Sequence, residues 1–205
     1  MLECTTKVIK EGENKMKINP IKLIGEWDEG YALDRHTISS IPLGEDVYGH
    51  MQFETRRSEL GELVYGLKYK GKYNDLQNIM DGIKPFLDEW SVLKTIDVIL
   101  PVPPSIQRQY QPVTEIAQAI ATYLNVSFTD QVLRKSSDEQ SKNMERDNKE
   151  LSGTIISIKK AKRPFNILLV DDLYSTDGTI TECVRILRQD PNLQQIYILT
   201  MTKTR

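Results

Sequence analysis

The segment at residues 167–187, ILLVDDLYSTDGTITECVRIL, restricts the fold of this 205-residue chain more than any other. Four apolar residues precede Asp171 and Asp172, a loop of hydroxyl-bearing and glycine residues follows, and a helical apolar pattern ends the segment. Such a continuous apolar run predicts a strand buried on both faces, which is typical of a parallel sheet. We therefore expect the loop to join a strand to a helix N-terminus, where backbone amides and the helix dipole favour an anion such as phosphate.

The rest of the chain fits the same architecture. Beyond residue 92, short apolar strands alternate with amphipathic helical stretches, which predicts an α/β fold with a doubly wound parallel sheet. Residues 18–53 alternate as a small amino-terminal antiparallel β meander. We expect three parts: a mobile extension at 1–17, an amino-terminal β-meander and helical region at 18–92, and an α/β domain at 93–205.

Two helices are expected between the meander and the α/β domain. Ser58 is a suitable N-cap for the first, and Gly71 is placed to end it. The second covers about residues 74–90, and Pro85 is expected to bend or break it. The polar stretch at 136–152 is expected to be a mobile excursion between strands.

Composition excludes several classes of function. The net charge of −2 gives no overall field that would attract nucleic acid or an anionic membrane. No apolar run is long enough to span a bilayer, and two cysteines are too few for a disulfide framework, so we expect a cytoplasmic protein without a membrane partner. The basic run KKAKR at 159–163 is most simply a solvated turn, with nucleic-acid contact as the alternative.

The two adjacent acids are the first candidates for chemistry. At the end of a strand, Asp171 and Asp172 can both face a ligand, and their carboxylates can accept the two hydroxyl protons of a ribose diol or assist Mg²⁺. The alternative is a pair of acids that caps the next helix or faces solvent. A Walker-type nucleotide hydrolase is discounted because the chain contains no G-x-x-x-x-G-K-[ST] motif.

The loop after the acids is the second candidate. Its amides and the hydroxyls of Ser175, Thr176 and Thr179 can surround a phosphomonoester, while Gly178 permits close approach. A simple Ser/Thr-rich helix cap is the alternative.

Taken in order, these motifs resemble a known family. LLVDDLYSTDGT resembles the phosphoribosyl pyrophosphate motif of type I phosphoribosyltransferases, and residues 55–205 resemble the ComF family of competence-associated, phosphoribosyltransferase-like proteins. The other matching segments are LKYKG at 67–71, LPVPPS at 100–105, and the spaced residues Arg134, Gln140, Glu145 and Arg146. The chain lacks the paired-cysteine zinc module of many ComF relatives, and the meander stands in its place.

The resemblance implies a role for each motif. Asp171 and Asp172 would hold the ribose hydroxyls and Mg²⁺, and residues 175–179 would hold the 5′-phosphate. The turn containing Pro103, Pro104 and Ser105 would approach pyrophosphate. The remaining candidates are cations: Arg134 or Arg146 would neutralise the leaving pyrophosphate, and Lys68 would contact substrate, although each is also a typical solvated side chain.

One departure from the motif leaves two functions open. Asp177 occupies the usual first glycine position of the loop, and its charge near a phosphate would weaken binding. The first hypothesis is a phosphoribosyltransferase that moves the phosphoribosyl group from phosphoribosyl pyrophosphate to an unknown nitrogen acceptor. The second is a non-catalytic nucleotide-binding or DNA-uptake protein with the same fold. The expected partner is phosphoribosyl pyrophosphate or a nucleotide; a homodimer and single-stranded DNA stay open as further partners.

Overall fold

The computed structural model describes residues 16–106, 108–135, 155–175 and 178–204. These residues form a mixed α/β fold. The strands are β1 (Ile21–Lys22), β2 (Glu29–Arg35), β3 (Thr37–Glu45), β4 (Met51–Arg57), β5 (Val98–Pro101), β6 (Ser127–Phe128), β7 (Leu133–Lys135), β8 (Ile155–Ser157), β9 (Phe165–Tyr174) and β10 (Leu193–Lys203). The helices are α1 (Glu59–Tyr69), α2 (Asp75–Glu89), α3 (Pro112–Leu124) and α4 (Thr179–Leu187), with a 3₁₀ helix at Ser91–Thr95.

A central sheet organises the molecule, in the order β1-β2-β10-β9-β5-β6. From β2 to β6 every neighbouring pair is parallel, and only the short edge strand β1 is antiparallel. The expectation of a parallel α/β sheet built around residues 167–170 is confirmed, since all four of these residues have no solvent exposure.

Helices cover both faces of this sheet. Leu168 and Val170 point into a core that also contains apolar residues of α1, α2 and α3. Ile167 and Leu169 point into a second core that contains the apolar face of α4. This alternation explains why residues 167–170 are all apolar, rather than apolar at every second position.

The amino-terminal strands do not form one continuous meander. β1 pairs with β2, and β3 pairs with β4, both antiparallel as expected. However, β2 also lies parallel to β10 and so belongs to the central sheet, whereas β3 and β4 form a separate ribbon. The amino-terminal region therefore supplies two strands, β1 and β2, to the central sheet. The division at residue 92 stays a prediction.

The helix limits follow the expected local chemistry. The Ser58 hydroxyl accepts a hydrogen bond from the Gly61 amide, which confirms the predicted N-cap of α1. The helix ends before Gly71, whose positive φ of 64° is the left-handed conformation that glycine adopts most easily. α2 contains Pro85 without breaking there. None of the helices in the described ranges is long and apolar enough to cross a membrane.

One local expectation was wrong. The central strand was expected to end at the two acids, but β9 runs on through Asp171 and Asp172 to Tyr174. Pairing with β10 keeps this extension regular: Asp171 lies opposite Thr200, and Leu173 lies opposite Thr202. Because neighbours on a strand point to opposite sides, the two carboxylates have different surroundings.

Candidate functional site

A cavity of about 350 Å³ lies where β5 and β9 end. It is bordered by the residues after β5, by the last residues of β9, by the start of α4 and by the end of α1. The predicted site residues among those lining it are Lys68, Pro103, Pro104, Ser105, Asp171, Asp172, Ser175 and Thr179. The motifs that were separated in sequence therefore meet at one edge of the sheet, as expected for the carboxyl ends of parallel strands.

Asp172 faces α1 and is held there. Its side chain is 4% exposed, and Lys68 Nζ lies 2.7 Å from Oδ2 and donates a 3.1 Å hydrogen bond to Oδ1. The Thr202 hydroxyl donates a hydrogen bond to the Asp172 carbonyl oxygen. Both ends of this residue are thus engaged within the protein.

Lys68 is the positive partner of that buried acid. Burial alone would lower the pKa of Lys68, but the charge of Asp172 and its hydrogen bond outweigh burial, so the pKa is raised. The ammonium group is therefore charged across the ordinary pH range. Lys68 also lines the cavity, as the resemblance implied, and its ion pair with a buried carboxylate is a role that the sequence did not indicate.

Asp171 has the opposite orientation and a different environment. It is partly buried, and its Oδ1 accepts a hydrogen bond from the Asp172 amide at 2.8 Å. Among the described residues it forms no ion pair within 4.0 Å. Burial and then the neighbouring charge of Asp172 raise the pKa of Asp171, against the smaller effects of that amide, Lys68 and Lys135. A cation or a hydroxyl donor in the cavity would satisfy this carboxylate.

The start of α4 forms another wall. Gly178 is its N-cap, with φ 75° and ψ 1°, and has no side chain to hydrogen bond the first amides of the helix. These amides can bind an anion. Thr179 and Ser175 line the cavity, whereas Thr176 and Asp177 lie outside the described residues.

The turn after β5 forms the wall opposite α4. The Val102 amide donates a 2.8 Å hydrogen bond to the Val170 carbonyl, which attaches this turn to β9. Ser105 then accepts a hydrogen bond from Lys135 Nζ at 2.6 Å. A cation therefore lies directly at the turn that was predicted to approach pyrophosphate.

The arginines predicted for this role are arranged differently. Arg134 and Lys135 both border a neighbouring recess of about 270 Å³, and neither is among the residues lining the main cavity. Lys135, however, donates a hydrogen bond to Ser105, which does line the main cavity. Arg146 lies outside the described residues. Neighbours on a strand point to opposite sides, and without the register of β7 the sequence does not indicate which of the two reaches Ser105.

Two further lining residues were not proposed as site residues from the sequence. Arg108 and Tyr69 border both the main cavity and an adjoining one of about 220 Å³, and the Arg108 guanidinium carbon lies 6.0 Å from the centre of the Tyr69 ring. Tyr69 follows Lys68 in the LKYKG segment, and Arg108 is shortly after the LPVPPS segment, so their proximity to recognised motifs was the available signal.

The donor set suits a divalent cation that is shared with a ligand. No group of three or more His, Cys, Asp or Glu residues that could hold a metal occurs within the described ranges. Mg²⁺, however, is usually held by one or two carboxylates together with water and substrate phosphates. Asp171, which faces the cavity without an ion pair, fits that mode, whereas Asp172 is already bound to Lys68.

Comparison with known proteins yields similarity of structure only. No family model matches the chain, and no curated protein is significantly similar to it. Adenine phosphoribosyltransferase from Saccharomyces cerevisiae is a similar solved structure, with TM-score 0.47, 14% identity, and coverage of 81% of this chain and 85% of that one. Orotate phosphoribosyltransferase from Aeropyrum pernix has TM-score 0.40 and 10% identity, over 80% of this chain and 77% of that one.

Phosphoribosylpyrophosphate synthetase from Mycobacterium smegmatis is also similar, with TM-score 0.38 and 15% identity over 58% of this chain. The chain spans about a third of the length of that enzyme, with 32% covered. At identities of 10–15%, the similarity to these proteins concerns the fold alone.

Proposed function

We propose that the chain binds phosphoribosyl pyrophosphate in the cavity at the ends of β5 and β9 and transfers its phosphoribosyl group to a nitrogen acceptor. The observation that carries this proposal is the meeting of two kinds of group in one cavity. Within the described ranges Asp171 offers a carboxylate without an ion pair, in the cavity that the start of α4 also borders, and Ser105 in the turn after β5 contacts Lys135. A ligand that carries a diol and phosphates at both ends matches that arrangement.

The sugar and its 5′-phosphate would occupy the side formed by β9 and α4. Asp171 would accept hydrogen bonds from the ribose hydroxyls, and the first amides of α4 with Thr179 and Ser175 would surround the phosphate. Asp172 would support this arrangement indirectly, since its ion pair with Lys68 holds α1 against the end of β9.

The pyrophosphate would lie toward the turn at Pro103–Ser105. Ser105 and Lys135 are already in contact there, and Arg108 lines the same cavity. Cations at this position stabilise a leaving group whose negative charge increases as its bond to the sugar breaks. This assignment gives Lys135 the role that the sequence suggested for Arg134 or Arg146.

In the proposed reaction the acceptor nitrogen donates its lone pair to C1 of the ribose, and the C1–O bond to pyrophosphate breaks. The bonding electrons leave with pyrophosphate, and the nitrogen loses a proton where it carries one. Positive charge develops on the ribose ring as the bond breaks, so a carboxylate next to the ring stabilises the transition state. Mg²⁺ would supply charge neutralisation on the pyrophosphate when bound, and Asp171 is the residue that would hold it.

The adjoining cavity offers a route for the acceptor. It shares Lys68, Tyr69 and Arg108 with the main cavity and extends toward Tyr73 and Tyr110, whose rings lie 4.4 Å apart. The LKYKG and LPVPPS segments resemble segments of the ComF family. This resemblance supports the finer proposal of a ComF-like, cytoplasmic protein.

The reaction is tested by release of pyrophosphate. The purified chain is incubated with phosphoribosyl pyrophosphate, Mg²⁺ and each of a panel of nitrogen compounds, including purine and pyrimidine bases and ammonia. At least one of these compounds should cause release of pyrophosphate that does not occur without it. The rate of this release should be at least a hundredfold lower in Asp171→Asn. Lys22→Gln, on the distant edge strand β1, serves as the matched surface control. Release that is the same with and without every acceptor would contradict transfer.

A further inference from the structure

A second cavity of about 700 Å³ lies at the opposite end of the sheet. It is bordered by the first residues of β5 and β9, by β8 and by the last turn of α4. Phe165 at this end and Asp171 at the other are six residues apart on one strand, which corresponds to ~20 Å. The two cavities therefore share no lining residue and can be occupied independently.

The interior of this cavity is apolar. Seven large apolar side chains line it, and most of them are only half-buried. They come from β5, β8, β9, α4 and the chain before β7: Val98, Leu100, Val132, Ile156, Phe165, Ile186 and Leu187. Half-buried apolar side chains inside a concave wall lose further contact with water when a ligand enters. The volume is also within the range of small-molecule sites, ~300–1,000 Å³.

The rim of the cavity is basic, and hydrogen bonds fix its backbone to the chain that follows α4. Lys159, Lys160, Lys162 and Arg163 all line the cavity and are exposed, and they belong to the run that the sequence presented as a solvated turn. At the centre of the turn, Ala161 donates its amide to Asp190 at 2.7 Å, and its carbonyl accepts a hydrogen bond from Asn192 at 2.9 Å. These bonds hold the neighbouring lysines at the cavity opening.

The two acidic side chains at this cavity accept hydrogen bonds from backbone amides. Asp190 accepts hydrogen bonds from the amides of Ala161 and Asn192, and Asp97 accepts one from the amide of Asn166 at 2.8 Å. Among the described lining residues, neither acid forms an ion pair with the basic turn. The charge presented at the opening is therefore positive.

We propose that this cavity binds a small organic anion with a flat or aliphatic apolar body and a phosphate, sulfonate or carboxylate group. The apolar body enters against Leu100, Phe165 and Ile186, while the anionic group stays at the opening beside Lys160 and Lys162. Charge complementarity excludes a cationic ligand, and the apolar interior disfavours a ligand that is polar throughout.

Paired fluorescent probes test the proposal on the full chain. 8-Anilinonaphthalene-1-sulfonate has an aromatic body and one anionic group, and N-phenyl-1-naphthylamine is the same body without the sulfonate. We expect saturable binding of the sulfonate with one site per chain, at least tenfold tighter than the uncharged dye. The Lys160→Gln/Lys162→Gln double variant should weaken binding of the sulfonate at least fivefold, and Lys17→Gln/Lys22→Gln, two exposed lysines at the other side of the sheet, should leave it unchanged.

A blocking variant and a competitor locate the binding. Ser127→Trp, at an exposed position that lines the cavity, should abolish dye binding with an unchanged circular dichroism spectrum, and Ser157→Trp is the alternative if it fails to fold. Phosphoribosyl pyrophosphate with Mg²⁺ should not displace the dye. The proposal would be overturned by any of three results: equal affinity for both dyes, an equal loss of sulfonate affinity in the two double variants, or displacement of the dye by phosphoribosyl pyrophosphate.

Discussion

Lys68 at the end of α1 and Asp172 near the end of β9 are 104 residues apart in sequence, yet Lys68 Nζ lies 2.7 Å from Asp172 Oδ2. The acid is almost fully buried and the lysine is about three-quarters buried. The pair joins α1, whose end borders the cavity, to the strand that carries Asp171. Its removal should therefore affect both stability and the shape of the site.

Removal of only one member of the pair should be costly. Lys68→Met leaves a buried carboxylate without compensation, so we expect the free energy of unfolding to fall by about 3 kcal/mol. The Lys68→Met/Asp172→Leu double variant should recover much of this loss, because both desolvated charges are then absent. Urea unfolding of Lys68→Met, Asp172→Leu and the double variant measures the coupling free energy between the two side chains. Additive losses would show that the two side chains do not interact.

Asp171→Asn should stabilise the protein at neutral pH. Because the pKa of Asp171 is raised in the folded state, the folded chain binds that proton more tightly than the unfolded chain does. Stability is therefore lost as pH rises above the unfolded pKa of ~4, and the amide avoids this loss. Thermal unfolding at pH 7.5 should show an increase of about 2–4 °C for each kcal/mol gained, and the difference should vanish near pH 4. A lower melting temperature for the variant at pH 7.5 would contradict the assigned environment.

Gly178→Ala should weaken ligand binding as well as stability. Alanine at a φ of 75° costs about 1 kcal/mol, and relief of that strain would rotate the amides at the start of α4. Gly49→Ala is the matched control, since Gly49 has a φ of 79° in an exposed turn with no atom within 4 Å of an added Cβ. Both variants should lose similar stability, but only Gly178→Ala should weaken phosphoribosyl pyrophosphate binding, by about fivefold or more. Equal affinities would remove the α4 N-terminus from the proposed site.

Lys135 and Arg134 form a natural pair for testing the pyrophosphate side. Lys135→Gln removes the cation at Ser105 and should weaken phosphoribosyl pyrophosphate binding about fivefold, whereas Arg134→Gln should change it less than twofold. Calorimetric titration at matched ionic strength measures both. A larger effect of Arg134→Gln would return the role to the residue that the motif suggested.

The sequence was most informative where the determinants are local. Residues 167–170 are all apolar, so their burial could be predicted from the run itself. The Ser58 cap and the end of α1 before Gly71 depend only on residues within one or two helical turns. These features could be predicted because each is decided by its immediate neighbours.

The remaining features depend on pairing over long distances. The position of β2 beside β10 follows from contacts between the two ends of the chain, and no pattern within β2 indicates that partner. The length of β9 beyond the acids depends on the same strand β10. Strand alternation and register also decide that Asp171 and Asp172 have different surroundings and that Lys135 rather than Arg134 contacts Ser105.

The central claim is that the cavity at the ends of β5 and β9 binds phosphoribosyl pyrophosphate through Asp171. Isothermal titration of the chain with this ligand and Mg²⁺ at pH 7.5 tests it most directly, with Asp171→Asn compared under the same conditions. We expect one saturable site in the unmodified chain. Asp171→Asn should bind at least tenfold more weakly, although it is the more stable protein. An absence of binding at millimolar ligand, or equal affinity in the two proteins, would contradict it.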